Sequence, residues 1–591
     1  MADDLKHECA VALVVLKKGG GRRCKQGQCP GDYGGAKLSL LLEKQHNRGQ
    51  DGAGAAVLAC DPEPGEAPYW IAKSASATPL ADVLAEIAGR PERSGKGGGR
   101  VFLGHLRYAT FGRNDAAFCH PFVHPASELR HTVLLAGNFN LTNAAALFED
   151  YRRMGEFPTS RADGYLVCEL LAHELAARRS GDIAGALSAA LASADGAWTF
   201  CGATGDGWVF ATRDPHGIRP GYYYADDEVI VVASERPAIQ AAFDVPPEAV
   251  KALPPGEALV VSPQGDVEFV DLIRAEHVGG NTSDLHVSTR STRLNDLSVR
   301  PCSFERIYFS RANDADIYRE RKALGAALVP RILAGARAPM ERIFFSYIPN
   351  SARIAFYGLL EELLMRCASA QSRGNLSGIP RFGEVAVKDA KFRTFIADAA
   401  AREDLYKHVY DVTYGLVGKD DTLVVLDDSI VRGNTMRNAI LPMLDRLGPR
   451  RIVVASSAPP IRYPDCYGID MSTLGELVAF RALVNLLGPG AESALREALE
   501  GRTTSPANPL APLYARFSEE QHCAEISRLL TPPGMRSEVV VVFQTAEDLR
   551  LCLGGAVGDW YFTGEYPTPG GYAVLRKAIL NYLNRNSERS Y

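Results

Sequence analysis

At 591 residues the chain exceeds what one hydrophobic core organises; roughly 150 residues per domain permits two large domains or about four small ones, and two large ones are expected. Hydrophobic residues at 46% and charged residues at 23% describe a chain able to bury sizeable cores, which excludes disorder as the default state. A net charge of −5, from 65 basic and 70 acidic side chains, excludes a surface-wide attraction to nucleic acid or an anionic membrane, so any phosphate site must be local.

The chain opens on KHECAVALVVL, with Cys9 directly before an apolar run. Cys9 is either a small core residue that begins a buried strand, or a nucleophile that works only once everything before it is removed. The run from Cys9 to Leu16 is far shorter than the ~18 residues of a membrane span, and acidic residues precede it where a signal peptide is basic, so neither export nor anchoring is expected. Twelve scattered cysteines lack the density of a disulfide-stapled secreted domain and point to a reducing cytoplasm.

Next comes GGGRRCKQGQCPGDYGG, residues 19–35, read as a surface insertion. Its Cys24 and Cys29 have the spacing of a metal half-site, but no second pair accompanies them. A helix is predicted over GAKLSLLLEKQ, where leucines recur near every third or fourth position, and RSGKGGGR reads as a second insertion. Buried strands are predicted at VFLGHLRYATFG, TVLLAGNF, WVFATRDPHG and VIVVASE, with a helix at GYLVCELLAHELAARR between them. The first half, to about residue 270, is thus an α+β or layered domain. Residues 271–300 mix polar residues and turn formers without a period and read as a linker. Beyond them strands alternate with helices, as in a parallel α/β sheet, and RTTSPANPLAPL, from Arg502, reads as a further insertion.

The strongest local signal is DTLVVLDDSIVRGNTMRNAILPMLDRLGPRRIVVASSAPP, one β-α-β unit. Leu423 to Leu426 suits a strand buried on both faces; Met436, Ile440, Met443, Leu444 and Leu447 share a helix face that Gly448 and Pro449 end; Arg451 to Ser456 is the returning strand. Ligands of such units sit beyond the carboxyl end of the strand, at the helix start. Gly433, Asn434 and Thr435 are placed to cradle a phosphate, and Asp427 and Asp428 to serve a ribose diol or a hydrated magnesium ion. Acid pair and phosphate loop together imply a phosphorylated sugar.

VVLDDSIVRGNT resembles the phosphoribosyl pyrophosphate signature of the type I phosphoribosyltransferases. SYIPNSARIAFYG looks like a second element of that family, in which the Ser351 hydroxyl would join the metal and pyrophosphate site. KFRTFI resembles the loop that closes over the substrate, with Arg393 against it. It lacks the Arg-Tyr-Val-Gly run usual before Arg-Thr-Phe-Ile, which leaves the roles of Lys388 and Lys391 open.

In the first half EKQHNRGQDGAG, GHLRYATFG, GNFNLTN and RADGY occur in that order and together resemble the glutamine amidotransferases with an N-terminal nucleophile. In that family the cysteine is residue one and its own α-amine is the base. An amine with a pKa of about 7.7–8.0 can take the proton of a thiol near 8.5, whereas a peptide nitrogen cannot. The resemblance therefore makes Cys9 the nucleophile and residues 1–8 an autocleaved propeptide. It assigns Arg107 to the glutamine α-carboxylate, Asp163 to its α-ammonium, and Asn138 with the backbone N–H of Phe139 to the oxyanion. The family usually has glycine where Phe139 stands, and often serine and glutamate where Gly164 and Tyr165 stand.

Both halves together resemble the amidophosphoribosyltransferases, from Cys9 over most of the chain, with RDPHGIRP, VVASERPAI, PPGEALVV, PCSFERIYFSRAND, APPIRYPDCYGIDMST and FTGEYPT as further matches. The resemblance implies a two-domain α/β protein. A four-layer αββα N-terminal-nucleophile hydrolase domain would span 9–270, a linker 271–300 and a parallel-sheet type I phosphoribosyltransferase domain 301–500, with a C-terminal extension at 501–591 packing on the transferase. It implies conversion of phosphoribosyl pyrophosphate, glutamine and water to phosphoribosylamine, glutamate and pyrophosphate, the first step of purine synthesis. It further implies Mg2+, purine nucleotide feedback inhibitors and a homo-oligomer in the cytoplasm, with neither nucleic acid nor membrane as partner. Some members hold an iron-sulfur cluster on four cysteines. Here Cys302 and Cys466 lie near two ligand positions, but the expected Cys-x-x-Cys reads Gly558, Asp559, Trp560, Tyr561, so no cluster is expected. The sequence shows no sugar-isomerase serine loop or ATP pyrophosphatase motif and is short for a glutamate synthase. A catalytically silent regulatory binder of phosphoribosyl pyrophosphate or nucleotides is the rival reading.

Overall fold

The computed structural model describes residues 9–17, 30–59, 67–89, 99–109, 115–275, 299–372, 378–388, 410–501, 508–555, 557–586 and 588–590. The first domain carries β1 (Ala10–Leu16), β2 (Gly52–Leu58), β3 (Tyr69–Ser74), β4 (Val101–Arg107), β5 (Phe122–His124), β6 (Val133–Leu141), β7 (Gly196–Thr204), β8 (Val209–Arg213), β9 (Tyr222–Ala225), β10 (Val229–Ala233), β11 (Lys251–Ala252), β12 (Glu257–Val261) and β13 (Val267–Asp271). They form two antiparallel sheets, ordered β11-β9-β10-β1-β4-β2-β3 and β13-β12-β8-β7-β6-β5.

β1 is central, and its unbroken apolar run follows from burial on both faces. Ala10, Ala12, Val14 and Leu16 alternate into the core under the outer helices, while Val11, Leu13 and Val15 enter the core between the sheets. Leu38, Leu41 and Leu42 of the helix Pro30–Lys44 and Ile239 of the helix Arg236–Phe243 cover the first sheet. The helices Asp163–Ala176 and Ile183–Leu191 cover the second. The order is helix, sheet, sheet, helix, as expected of the αββα class.

The helix starts at Pro30, so the end of the glycine-rich stretch expected to be an insertion is its first turns. Proline suits a first helical position, and Gly34 is there for packing: a Cβ on it would stand 2.2 Å from the Phe102 ring. Cys24 and Cys29 lie outside the described residues, as do residues 1–8 and 90–98. β13 runs to Asp271 and a short helix, Leu272–Ala275, follows, so the domain extends past the expected boundary at 270; residues 276–298 of the expected linker lie outside the described residues.

The second domain holds β14 (Ile343–Tyr347), β15 (Arg381–Phe382), β16 (Ala386–Lys388), β17 (Tyr410–Val412), β18 (Thr422–Asp427), β19 (Arg451–Ser456) and β20 (Glu538–Phe543). Five make a parallel sheet, β15-β14-β18-β19-β20, and β16 pairs with β17 beside it. β18 is buried on both faces, with Leu423 and Val425 in one core and Val424 and Leu426 in the other. β20 comes from the segment expected only to pack on the transferase domain. A boundary at residue 500 would cut this sheet, and the two segments are one domain. The helix after β18 begins with a wide turn, Met436–Ile440, in which Leu441 N–H bonds Met436 O, before the short α-helix Leu441–Asp445 containing Pro442.

Candidate active sites in the two halves

Cys9 is half-buried, one residue before β1, and the N–H of Tyr108 donates to its Sγ at 3.3 Å. The register of β1 on β4, Ala10 opposite Leu106, sets Cys9 level with Arg107 at the end of β4. The Arg107 guanidinium is buried and lies over the Phe118 ring at 5.7 Å. Asp163 starts the helix Asp163–Ala176. Burial pushes its carboxyl up to about 6, opposed by the backbone N–H groups of Gly164 and Asp163 and by the charge of Arg107. The fold thus brings the two expected glutamine-recognition residues within electrostatic reach of one another.

Asn138 on β6 is buried, and its Nδ2 has no hydrogen-bond partner among the described residues. Buried amide donors are seldom left unmatched, so this one is available to a ligand. The neighbouring N–H of Phe139 is oriented by the ladder. Thr142 N donates to Asp195 O at 2.8 Å, and the two-residue alternation of antiparallel pairing then directs the N–H groups of Asn140 and Asn138 to β7, and those of Phe139 and Gly137 to the opposite edge.

The pleat also explains a ring where the family has glycine. Phe139 points to the helix-covered face, 4.7 Å from the Phe200 centroid, so its ring lies on the other face of the sheet from Asn138. Gly164 is required by its neighbour, since a Cβ there would stand 2.7 Å from the Phe122 ring.

In the second half Asp427 and Asp428 are buried at the end of β18. Asp427 Oδ1 accepts from Asp428 N at 2.9 Å and Asp428 Oδ1 from Ser429 Oγ at 2.8 Å. Asp428 Oδ2 is buried with no partner among the described residues, and so is the hydroxyl of Ser351. Ile348 N donates to Leu426 O at 2.8 Å, which carries the turn at Ser351 alongside the acid pair. Gly433 takes φ +79°, and a Cβ on it would stand 2.2 Å from Leu530 Cδ2, so this turn needs glycine there. Asn434 is exposed and Thr435 half-buried at the helix start. Lys391 and Arg393 lie outside the described residues, and of Lys388 only its place at the end of β16 is described.

Sequence reading missed a buried cation within electrostatic reach of Asp428. Arg321, on the helix Ala315–Ala327, is buried and donates to Arg306 O at 2.8 Å and Ser310 O at 2.7 Å. Burial drives its guanidinium down to about 10, and Asp428 is the leading charge that opposes the shift. It also missed the contacts that dock the halves, although the residues sit in the matched motifs. Arg48 is fully buried, donating to Glu235 at 2.7 Å and to Glu305 at 2.9 Å, with Asn47 joining Glu235 at 2.7 Å. Asn140 donates to Cys466 O at 2.7 Å; Tyr108 donates to Asp470 at 3.3 Å, and Asp470 O accepts from Arg432, next to Gly433, at 3.2 Å. A cavity of about 680 Å³ opens between the halves, lined among others by Lys44, Asn47, Tyr308, Arg311 and Ser351.

Cys302 lies in a packed core. The Tyr561 hydroxyl is 3.5 Å from its Sγ, 2.8 Å from Ser303 Oγ, and accepts from Phe304 N at 2.7 Å, while Trp560 Nε1 donates to Asp465 at 2.8 Å. Trp560 and Tyr561, in the stretch where a Cys-x-x-Cys would have been expected of a cluster-binding chain, are buried aromatic rings. Among the described residues no three His, Cys, Asp or Glu side chains gather as a metal cage, and no helix is long and apolar enough to cross a membrane.

The layers and the Cys9 end of β1 define a two-domain protein, an N-terminal-nucleophile glutaminase fold joined to a phosphoribosyltransferase sheet. Residues 120–241 match the glutamine amidotransferase domain family. The amidophosphoribosyltransferase of Bacillus subtilis is 30% identical over 448 residues, covering 74% of this chain and 79% of its own. That of Archaeoglobus fulgidus is 29% identical over 410 residues, covering 68% and 78%. Two solved structures share the fold: glutamine phosphoribosylpyrophosphate amidotransferase from B. subtilis with ADP and GMP, and an allosteric regulatory enzyme of purine biosynthesis. The TM-scores are 0.62 and 0.64, at 22% and 23% identity, over 95% of this chain and 97% and 96% of theirs. The chain belongs to the amidophosphoribosyltransferase family.

Proposed function

We propose that this chain converts phosphoribosyl pyrophosphate, glutamine and water to 5-phosphoribosylamine, glutamate and pyrophosphate, with the residues of each half in the following roles. Removal of residues 1–8 makes the Cys9 nitrogen a free amine, which takes the thiol proton. Arg107 clamps the α-carboxylate of glutamine and Asp163 pairs with its α-ammonium, which selects the free amino acid. The Cys9 sulfur attacks the side-chain amide carbon, Asn138 Nδ2 and Phe139 N–H hold the resulting oxyanion, and ammonia leaves with the proton. Water hydrolyses the thioester to glutamate.

In the second half the N–H groups of Gly433, Asn434 and Thr435 hold the 5-phosphate, and Asp427 and Asp428 hold the ribose diol and balance charge as pyrophosphate departs. Asp428 Oδ2 and Ser351 Oγ are hard oxygens with no partner among the described residues, which fits Mg2+. This ion is normally held by one or two carboxylates together with substrate phosphates. When bound it supplies charge neutralisation to the pyrophosphate leaving group. Ammonia passes between the halves, whose docking contacts run from Tyr108 to Arg432.

The observation that carries the reading is the Asn138 amide, a buried donor with no partner among the described residues, which an oxyanion would satisfy. The same donor favours an enzyme over a silent binder. The ADP and GMP in the B. subtilis structure support purine nucleotide control, and self-association in the cytoplasm is part of the same proposal.

The test is intact mass together with coupled release of glutamate and pyrophosphate. The mature chain begins at Cys9, and Cys9→Ala loses glutamine-dependent synthesis while added ammonium still supports transfer. Equal loss with both nitrogen donors overturns the division of labour.

A further inference from the structure

β5 stops short. Its pairing with β6 covers Leu135 down to Val133, and in the same register His120 falls opposite Gly137, and Phe118 opposite Phe139. A continuing strand would offer the carbonyls of His120 and Phe118 to the N–H groups of Gly137 and Phe139. Neither is offered. Phe118 is wound into the 3-10 turn Ala116–Phe118, and the His120 carbonyl is turned to β2, where it lies 1.9 Å from the place a Cβ on Gly54 would take. Pro121, next in the chain, has no N–H to give.

The His120 imidazole stands in for the missing carbonyl: Gly137 N–H donates to its Nδ1 at 3.2 Å. The ring is held on both sides, stacked on His105 with centroids 4.0 Å apart and tilted against Phe122 at 4.9 Å. It is buried, and burial with the neighbouring His105, Lys73 and Arg107 holds it well below the usual histidine range, so it remains the neutral acceptor this bond requires. The substitution of a side chain for a strand satisfies Gly137, and the next outward-facing N–H, that of Phe139, meets no acceptor among the described residues.

We propose that His120 is a positioning residue of the glutaminase half-reaction, its Nδ1 fixing the Gly137–Phe139 strand so that the oxyanion donors stay aimed and the Phe139 N–H stays open. This rests on the reading of Cys9 and Asn138 given above. A donor strand displaced by about 1 Å costs on the order of 100-fold in rate.

The experiment compares wild type, His120→Phe and His120→Asn, with Cys9→Ala as reference. It reads glutaminase kcat and KM, ammonium-supported transfer, and hydrogen exchange of the 135–139 segment. His120→Phe keeps a stacked ring and removes the acceptor. We expect kcat about 100-fold lower with KM changed less than about threefold, faster exchange at Gly137, and ammonium-supported transfer within about twofold of wild type. His120→Asn returns an acceptor oxygen near the lost nitrogen and regains at least about tenfold. Wild-type kcat in His120→Phe overturns the proposal, as does His120→Asn no better than His120→Phe. If His120→Phe loses transfer with ammonium as well, recovery of kcat in His120→Asn decides the matter. Glutaminase turnover surviving in Cys9→Ala instead defeats the underlying reading.

Discussion

Replacing Asn138 by alanine separates catalysis from stability in opposite directions. In the resting protein its Nδ2 is buried with no acceptor among the described residues, a state that costs about 1–3 kcal/mol for a polar group removed from water. Alanine removes that cost and loses a small amount of packing, so stability should stay within about 1 kcal/mol of wild type or rise. In the transition state the same donor meets an oxyanion in a water-poor site, where one such bond contributes about 2.7–4 kcal/mol; glutaminase kcat should fall about 10²–10³-fold. Steady-state glutamate release gives the rate, and denaturant midpoints read separately for each domain give the stability. A kcat within threefold of wild type would refute the oxyanion role, and a stability loss above about 2 kcal/mol would make Asn138 a structural amide.

The other predictions follow from charge and burial. The Asp163 carboxyl, raised by burial to about 6, is the ionised partner of an ammonium only above that pH. So kcat/KM for glutamine should fall as pH drops through about 6 and Asp163→Asn should flatten that limb while raising KM. The sign for stability is opposite: the folded state holds this proton more tightly than the unfolded chain, so acidification through the same window favours the fold, and an acid-side loss traced to Asp163 in unfolding curves would contradict it. Arg48→Met leaves Glu235 and Glu305 buried without their cation and should cost about 3–5 kcal/mol, read by thermal unfolding; a loss under about 1 kcal/mol would show the triad to be dispensable. Asp428→Asn should cut ribosyl transfer at least about 100-fold with glutamine and ammonium alike while glutamate release without phosphoribosyl pyrophosphate is unchanged. Transfer with ammonium within threefold of wild type would remove Asp428 from the site.

What was legible in the chain is what neighbours in sequence encode. The run before the acid pair reads as a strand because every residue from Thr422 to Asp427 is buried on one face or the other, and the stripe Met436, Ile440, Met443, Leu444 and Leu447 survives a wide turn because all five still meet the same core. Motif order carried the resemblance to both halves. Composition misled where glycine serves packing: GDYGG is helix because Gly34 gives room to Phe102, a residue distant in the chain. The C-terminal segment looked appended because nothing local distinguishes a fifth parallel strand from a surface strand, and only pairing with β19 makes β20 part of the sheet.

The acid pair and Gly433 are legible from the residue types of one short stretch, whereas Cys9, Arg107, Asp163 and Asn138 could be named only through the resemblance that their motifs carry. Tertiary structure alone decided that Tyr108 faces the Cys9 sulfur across 99 positions, that Arg48 reaches Glu305 across 257, that Arg321 comes within electrostatic reach of Asp428, and that Phe139 packs its ring under the helices while its N–H is directed away from β7. The physical reason is that periodicity and turn chemistry act over a few residues, whereas sheet register fixes which distant groups meet. A shift of one residue in that register would exchange the two faces of β6 and aim Phe139 where Asn138 now points.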